Sequence, residues 1–233
     1  MRALLLAAGL GTRLRPLTDT VPKCLVSIRG KPLLAHWLDL LLPNGISDVL
    51  VNTHYLPRTV EAFRDASPWQ DRITLVYEPE LLVTGGTILA NRTFFGREPF
   101  LVAHADNLSR FSVQGFLEAH ARRPDGATMT MMTFDTDVPE TCGIVETDAT
   151  GLLVRFHEKV DNPPSRKANG AVYILEPEVI DFIVSLGKQF VDFSNEVIPN
   201  FLGRIAVFHN TDYHRDIGSP ESLRKAEVEF KAA

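Results

Sequence analysis

Only two cysteines, Cys24 and Cys142, occur in the 233 residues. They are too few for a disulfide framework and lack metal-ligand spacing, so a reducing, cytoplasmic setting is expected. Basic charge is also short: 24 Lys and Arg stand against 29 Asp and Glu, a net charge of −5. Nonspecific nucleic-acid binding needs a broad basic surface to release counterions, so that class is disfavoured. No apolar run approaches membrane-spanning length. The apolar opening, Ala3 to Ala8, is shorter than the core of a signal peptide and breaks into Gly9-Leu10-Gly11-Thr12-Arg13, so it reads as a first buried strand. Two familiar phosphate-binding patterns are missing as well. The glycine pair lacks the third glycine and immediate helix of the dinucleotide fingerprint, and no Gly-Lys-Ser/Thr follows as a P-loop requires.

What is present suffices for a real core: 45% of residues are hydrophobic and 23% charged, an ordinary globular balance. Charge is unevenly placed. Arg2, Arg13, Arg15, Lys23, Arg29 and Lys31 crowd the first 31 residues with Asp19 as the single acid, which suggests a site for a small polyanion. The hydrophobic pattern predicts strands at Arg2 to Leu6, Asp48 to Asn52, Ile73 to Tyr77, Phe100 to Ala103 and Ala127 to Thr133. Helices are predicted at Pro32 to Leu42, Pro57 to Arg64, Gly86 to Phe94 and Val113 to Ala121. Such alternation implies an α/β, doubly wound, mainly parallel sheet of Rossmann-like type, with ligands beyond the carboxyl ends of the strands. From Gly143 onward the pattern changes to short strands, at Gly143 to Glu146, Leu152 to His157 and Ala171 to Leu175, before a closing helix at Pro220 to Phe230. No repeat or linker marks a boundary, so residues 1–233 are expected to form one domain with two lobes.

The polar loop between the first strand and the first helix exceeds twenty residues, and loops that long inside a compact domain are usually functional. Its segment LAAGLGTRLRPLTDTVPKCLVSIRGKPLL, Leu6 to Leu34, resembles the signature of sugar-1-phosphate nucleotidyltransferases. The resemblance continues, in order, through Glu78-Pro79-Glu80, Thr84-Gly85-Gly86, Asp106-Asn107, Gly143 to Glu146, Glu158-Lys159, Ala168-Asn169-Gly170 and Asp216 to Glu221. Where such proteins usually carry glycine before the first aspartate, this chain has Ala105.

The resemblance implies attack by a sugar phosphate oxygen on the α-phosphorus of a nucleoside triphosphate, with pyrophosphate leaving. It assigns Arg13 to the pyrophosphate, Lys23 to the α-phosphate and Lys159 to the sugar phosphate. Nucleotide binding falls to Leu6, Ala8, Gly9, Gly11, Thr12, Glu78 and Gly86, and sugar binding to Gly143, Glu158 and Asn169. Asp106 and Asp216 would hold Mg²⁺, a hard cation suited to oxygen ligands. The nucleotide lobe is then expected to span about 1–140 and the sugar lobe about 141–233. An acceptor-only carboxylate at Glu78 leans to guanine, hence GTP with mannose 1-phosphate or a related sugar phosphate. Uridylyl or thymidylyl transfer, cytidylyl transfer to a non-sugar phosphate, and a regulatory sugar-nucleotide-binding subunit stay open. No membrane or nucleic-acid partner is expected, and the sequence leaves room for a homo-oligomer.

Overall fold

The structure, a computed structural model, describes residues 1–231. In chain order its first elements are β1 Arg2–Leu6, β2 Ser27–Ile28, β3 Lys31–Pro32, α1 Leu33–Leu41, β4 Asp48–Thr53, α2 Pro57–Asp65 and β5 Ile73–Tyr77. Then come α3 Val83–Ala90, α4 Arg92–Phe95, β6 Phe100–His104, β7 Asn107–Arg110, α5 Val113–Ala121 and β8 Met129–Asp135. The remainder is β9 Gly143–Thr147, β10 Leu153–Glu158, β11 Lys167–Leu175, α6 Pro177–Ser185, β12 Ile205–His209, β13 Tyr213–Asp216 and α7 Pro220–Glu229. No helix among the described residues is long and apolar enough to cross a membrane.

The chain divides into two compact units. The first unites Met1–Leu81, Ala103–Phe111 and the stretch from Asp212 onward. In it β1, β4 and β5 pair in parallel, Leu6 opposite Asn52 and Asn52 opposite Val76. Helix α1 buries Leu33, Leu34, Trp37, Leu38 and Leu41, the stripe expected of a helix covering one face of a sheet. The Trp37 indole N–H donates to the Asn107 carbonyl at 2.8 Å, tying α1 to β7. Strand β13 pairs antiparallel with β7, placing Asp216 opposite Asn107. One hydrophobic cluster joins Leu14, Val26, Ile28 and Leu33 to Leu108, Ile217, Ala226 and Phe230. Segments distant in sequence thereby share one core.

The second unit comprises Leu82–Val102 and Ser112–Thr211. Strand β8 lies at its heart, with Met129, Met131 and Met132 fully buried, parallel to β12 and antiparallel to β11. Strand β9 pairs antiparallel with β10 and touches β11. The α/β class and the parallel pairing follow the alternation in the sequence, and the antiparallel strands follow the change of pattern after Gly143.

Most boundaries fall within two residues of expectation, and the largest departures lie in the third helix and in β11. The helix expected at Gly86 to Phe94 begins at Val83 and breaks at Asn91, whose side chain donates back to the Thr87 carbonyl at 2.9 Å. Gly85 and Gly86 are drawn into it by tertiary packing, since a Cβ at either would collide with the Val191 or Gln189 carbonyl. Strand β11 starts at Lys167, four residues before the expected start at Ala171, because Lys167, Ala168 and Asn169 already pair with β8 ahead of a bulge between Asn169 and Tyr173. Strands β7, β12 and β13 and helix α6 were not among the expected elements.

Candidate active site

The polar loop after β1 is built from turns. Gly11, at φ 64°, enters a 3-10 turn at Thr12–Leu14, a conformation that favours glycine. The Gly11 carbonyl accepts from the Leu14 N–H at 2.9 Å and from the Thr18 hydroxyl at 2.8 Å. A side chain at 11 would also press on Thr18 and Lys23. The loop is therefore folded onto itself, and its turn presents Arg13 outward with 71% of the side chain exposed.

A second short turn, Lys23–Leu25, buries Lys23 and Cys24. Burial pushes the Cys24 thiol up to about 12, so Cys24 is an inert packing residue. Lys23 is only 6% exposed, and a buried ammonium persists only when paired. Its Nζ donates to Asp106 Oδ2 at 2.7 Å and to Asp216 Oδ1 at 3.3 Å. Arg13 Nη2 lies 3.7 Å from the other oxygen of Asp216. Burial is the largest single influence on Asp106 and opposes its ionisation, but the Lys23 and His104 charges and the hydrogen bonds from Lys23 and the local backbone together outweigh it and hold the carboxyl below its ordinary value. Four charged residues assigned from sequence thus converge in the first unit: Arg13, Lys23, Asp106 and Asp216. Three segments supply them, namely the loop after β1, the turn after β6 and the end of β13. Ala105 is fully buried and its N–H donates to the Leu6 carbonyl at 2.9 Å, which fixes the turn carrying Asp106.

Leu6, Ala8, Gly9, Gly11 and Thr12 also lie in this unit, as does Glu78, 3% exposed at the end of β5. Glu78 Oε1 accepts from the Asn52 side-chain amide at 3.1 Å. Asn52 was missed by sequence reasoning, although a polar residue closing the apolar run Val49-Leu50-Val51 was a usable signal. Gly86 belongs to the second unit, buried in α3.

The remaining assigned residues sit in the second unit, on β9, β10 and β11. Gly143 faces Glu158 across the β9–β10 pair. A Cβ there would fall 2.4 Å from the Phe156 ring and 2.8 Å from Glu158 Oε2, so only glycine admits both side chains. Lys159 leaves β10 with positive φ, 51°, its N–H bonded to the Cys142 carbonyl at 3.1 Å. Its ammonium, 66% exposed, lies 3.5 Å from Glu158 Oε1. The Asn169 side chain donates to the Tyr173 hydroxyl at 2.6 Å and accepts from the Ala171 N–H at 2.9 Å, bracing the β11 bulge.

The family model for nucleotidyl transferases matches residues 2–232. The chain belongs to the nucleotidyl transferase family. It is 33% identical over 233 residues to a mannose-1-phosphate guanylyltransferase of Mycobacterium tuberculosis, covering 98% of this chain and 64% of that protein. It is 31% identical over 235 residues to a UTP–glucose-1-phosphate uridylyltransferase of Synechocystis, covering 94% of this chain and 60% of that one. The chain therefore spans less than two-thirds of the length of these relatives. A solved structure of HddC from Yersinia pseudotuberculosis complexed with GMP-PN superposes with a TM-score of 0.80 at 24% identity, covering 99% of each chain, a likeness of fold. Nucleotidyl transferases of this kind act on a nucleoside triphosphate and a sugar 1-phosphate and generally use a divalent metal. In this chain Asp106 and Asp216 each place a carboxylate oxygen on the Lys23 ammonium, at 2.7 and 3.3 Å, and paired carboxylates are donors that such a metal takes together with phosphate and water oxygens.

Proposed function

We propose that this chain transfers a nucleotidyl group from a nucleoside triphosphate to a sugar 1-phosphate, giving the NDP-sugar and pyrophosphate, with GTP and mannose 1-phosphate or a related sugar phosphate as the preferred pair. The observation that carries the reading is the buried Lys23 ammonium, poised between two carboxylates beside a glycine-turn loop. The nucleotide is taken chiefly by the first unit, Met1–Leu81, Ala103–Phe111 and the stretch from Asp212 onward, and the sugar phosphate by the second, Leu82–Val102 and Ser112–Thr211, rather than by lobes divided near residue 140.

The reaction needs alignment and charge compensation more than covalent chemistry. A sugar phosphate oxygen forms the new bond to the α-phosphorus while the bond to the bridging oxygen of the β-phosphate breaks. Lys23 steadies the α-phosphate, and the exposed Arg13 reaches the pyrophosphate as charge accumulates there. Lys159 engages the incoming phosphate, while Glu158, Asn169 and the backbone at Gly143 orient the sugar. The backbone from Leu6 to Thr12 with Glu78 and Gly86 receives the nucleotide. Mg²⁺, bound by Asp106 and Asp216 with phosphate and water oxygens, would neutralise charge on the triphosphate. The guanylyltransferase among the relatives and the acceptor-only carboxylate at Glu78 favour guanine.

The test is a matrix of five nucleoside triphosphates against several sugar 1-phosphates with Mg²⁺, read as pyrophosphate release. GTP with mannose 1-phosphate is expected to lead, and excess EDTA to abolish turnover. Silence across the matrix would overturn the activity, and a lead by UTP or TTP would overturn the base.

A further inference from the structure

Strand β4 is buried along Val49, Leu50 and Val51, and then carries Asn52 at the same depth. The Asn52 side chain bridges two segments assigned to the nucleotide. Its Oδ1 accepts the Ala7 N–H at 2.7 Å, and its Nδ2 donates to Glu78 Oε1 at 3.1 Å. Strand pairing makes this possible, since Asn52 stands in register with Leu6 on one side and Val76 on the other.

The polarity of the bridge is dictated by its ends. A backbone N–H can only donate and a carboxylate can only accept, so the residue between must offer an acceptor to one and a donor to the other. Asparagine does so. Aspartate would set a second carboxylate against Glu78, and leucine would remove a hydrogen bond from each end in the interior. The Glu78 backbone is held separately, its N–H on the Thr53 carbonyl at 2.8 Å and its carbonyl against His54 Nδ1 at 2.7 Å. What Asn52 adds is the direction of the carboxylate and the fixing of the peptide that opens into the glycine loop.

We propose that Asn52 is a positioning residue that locks the Glu78 carboxylate and the start of the glycine loop into one rigid arrangement, and so sets which nucleoside triphosphate this protein prefers. The inference rests on the nucleotide reading given above for Leu6 to Thr12 and Glu78. It also makes a requirement specific to the relay: if polarity is what matters, reversing both partners restores it. In N52D the new carboxylate can accept from Ala7 but repels Glu78, whereas in N52D/E78Q it accepts from Ala7 and from the new amide.

Two measurements on the complete chain decide the matter, hydrogen–deuterium exchange across Ala7 to Gly11 without substrates and calorimetric binding of the five triphosphates. N52D should speed exchange roughly tenfold or more, because two like charges facing each other in the interior push the bridge apart, and flatten the ranking of triphosphates. N52D/E78Q should return exchange to the wild-type rate and the ranking to that of E78Q alone. Exchange unmoved in N52D, a paired variant no better than N52D, or a loosened loop with the ranking intact overturns the proposal. Should N52D alone not fold, a paired variant that folds with wild-type loop exchange supports the relay, and an unfolded one overturns it. Neither readout depends on turnover, so an inactive wild type would remove the proposed reaction without deciding Asn52.

Discussion

The charged cluster of the first unit and the charged group of the second are held in different ways. Lys23, Asp106, Asp216 and Arg13 come from three separate segments, Lys23 and Asp216 being 193 residues apart, and at their centre is a buried ammonium bonded to two carboxylates. Gly143, Glu158 and Lys159 come from one pair of strands, with Lys159 standing 66% exposed. The first arrangement is prepaid by folding. The second leaves its cation loosely held at the surface, as an exposed pair contributes little by itself. A preorganised charge should act on the rate of the chemical step, and an unorganised one on the capture of substrate.

The sharpest way to break this contrast is Lys23→Ala, expected to lower kcat by roughly 10² to 10³, or about 3 to 4 kcal/mol, as for other preorganised donors at a reacting centre. Steady-state kinetics with both substrates varied would show it, and a change confined to KM would refute the contrast from the first side. Lys159→Ala should be milder, raising KM for the sugar phosphate about tenfold while leaving KM for the triphosphate nearly unchanged. An effect on the triphosphate alone, or on neither, would refute the contrast from the second side.

The smallest expected effect concerns a partly buried network in the second unit, joining His120, Thr130, Glu176 and Arg123. Burial, reinforced by the Arg123 charge, holds His120 down at about 4 from an ordinary 6.5. As pH falls from about 6.5 toward 4, the unfolded chain takes up a proton that the folded chain refuses, so stability declines with acid. His120→Asn should reduce the loss of stability between pH 7 and pH 4 by on the order of 1 kcal/mol, read from denaturant unfolding at both pH values. An unchanged difference would place the acid sensitivity elsewhere, for instance at His36, which burial also lowers.

The same contrast explains what could be read from the sequence. Strands β1 and β5 and helix α5 stand at their expected residues, because each is an apolar run closed by clear turn signals. Strands β7 and β13, reading Asn-Leu-Ser-Arg and Tyr-His-Arg-Asp, have no alternation to betray them, and their pairing is non-local. Helix α6 did carry a signal, Pro177 in its first turn with Val179, Ile180 and Ile183 on one face. Motif order was enough to nominate Lys23, Asp106 and Asp216. It could not show that Lys23 bonds both carboxylates, or that Asn52 ties the glycine loop to Glu78, since those contacts exist only once β1, β4, β5 and β13 are in register.

The core that unites Leu14, Val26, Ile28 and Leu33 with Ile217, Ala226 and Phe230 also bears on how the protein is made. A ribosome delivers Lys23 long before Asp216. At 5 to 20 residues per second, the 193-residue interval lasts about 10 to 40 s. By the time Asp212 emerges, every residue of the second unit has already been synthesised. The unit whose chain begins first is therefore the one completed last, and through that interval the Lys23 ammonium awaits Asp216 while the apolar residues beneath the glycine loop await Ile217, Ala226 and Phe230.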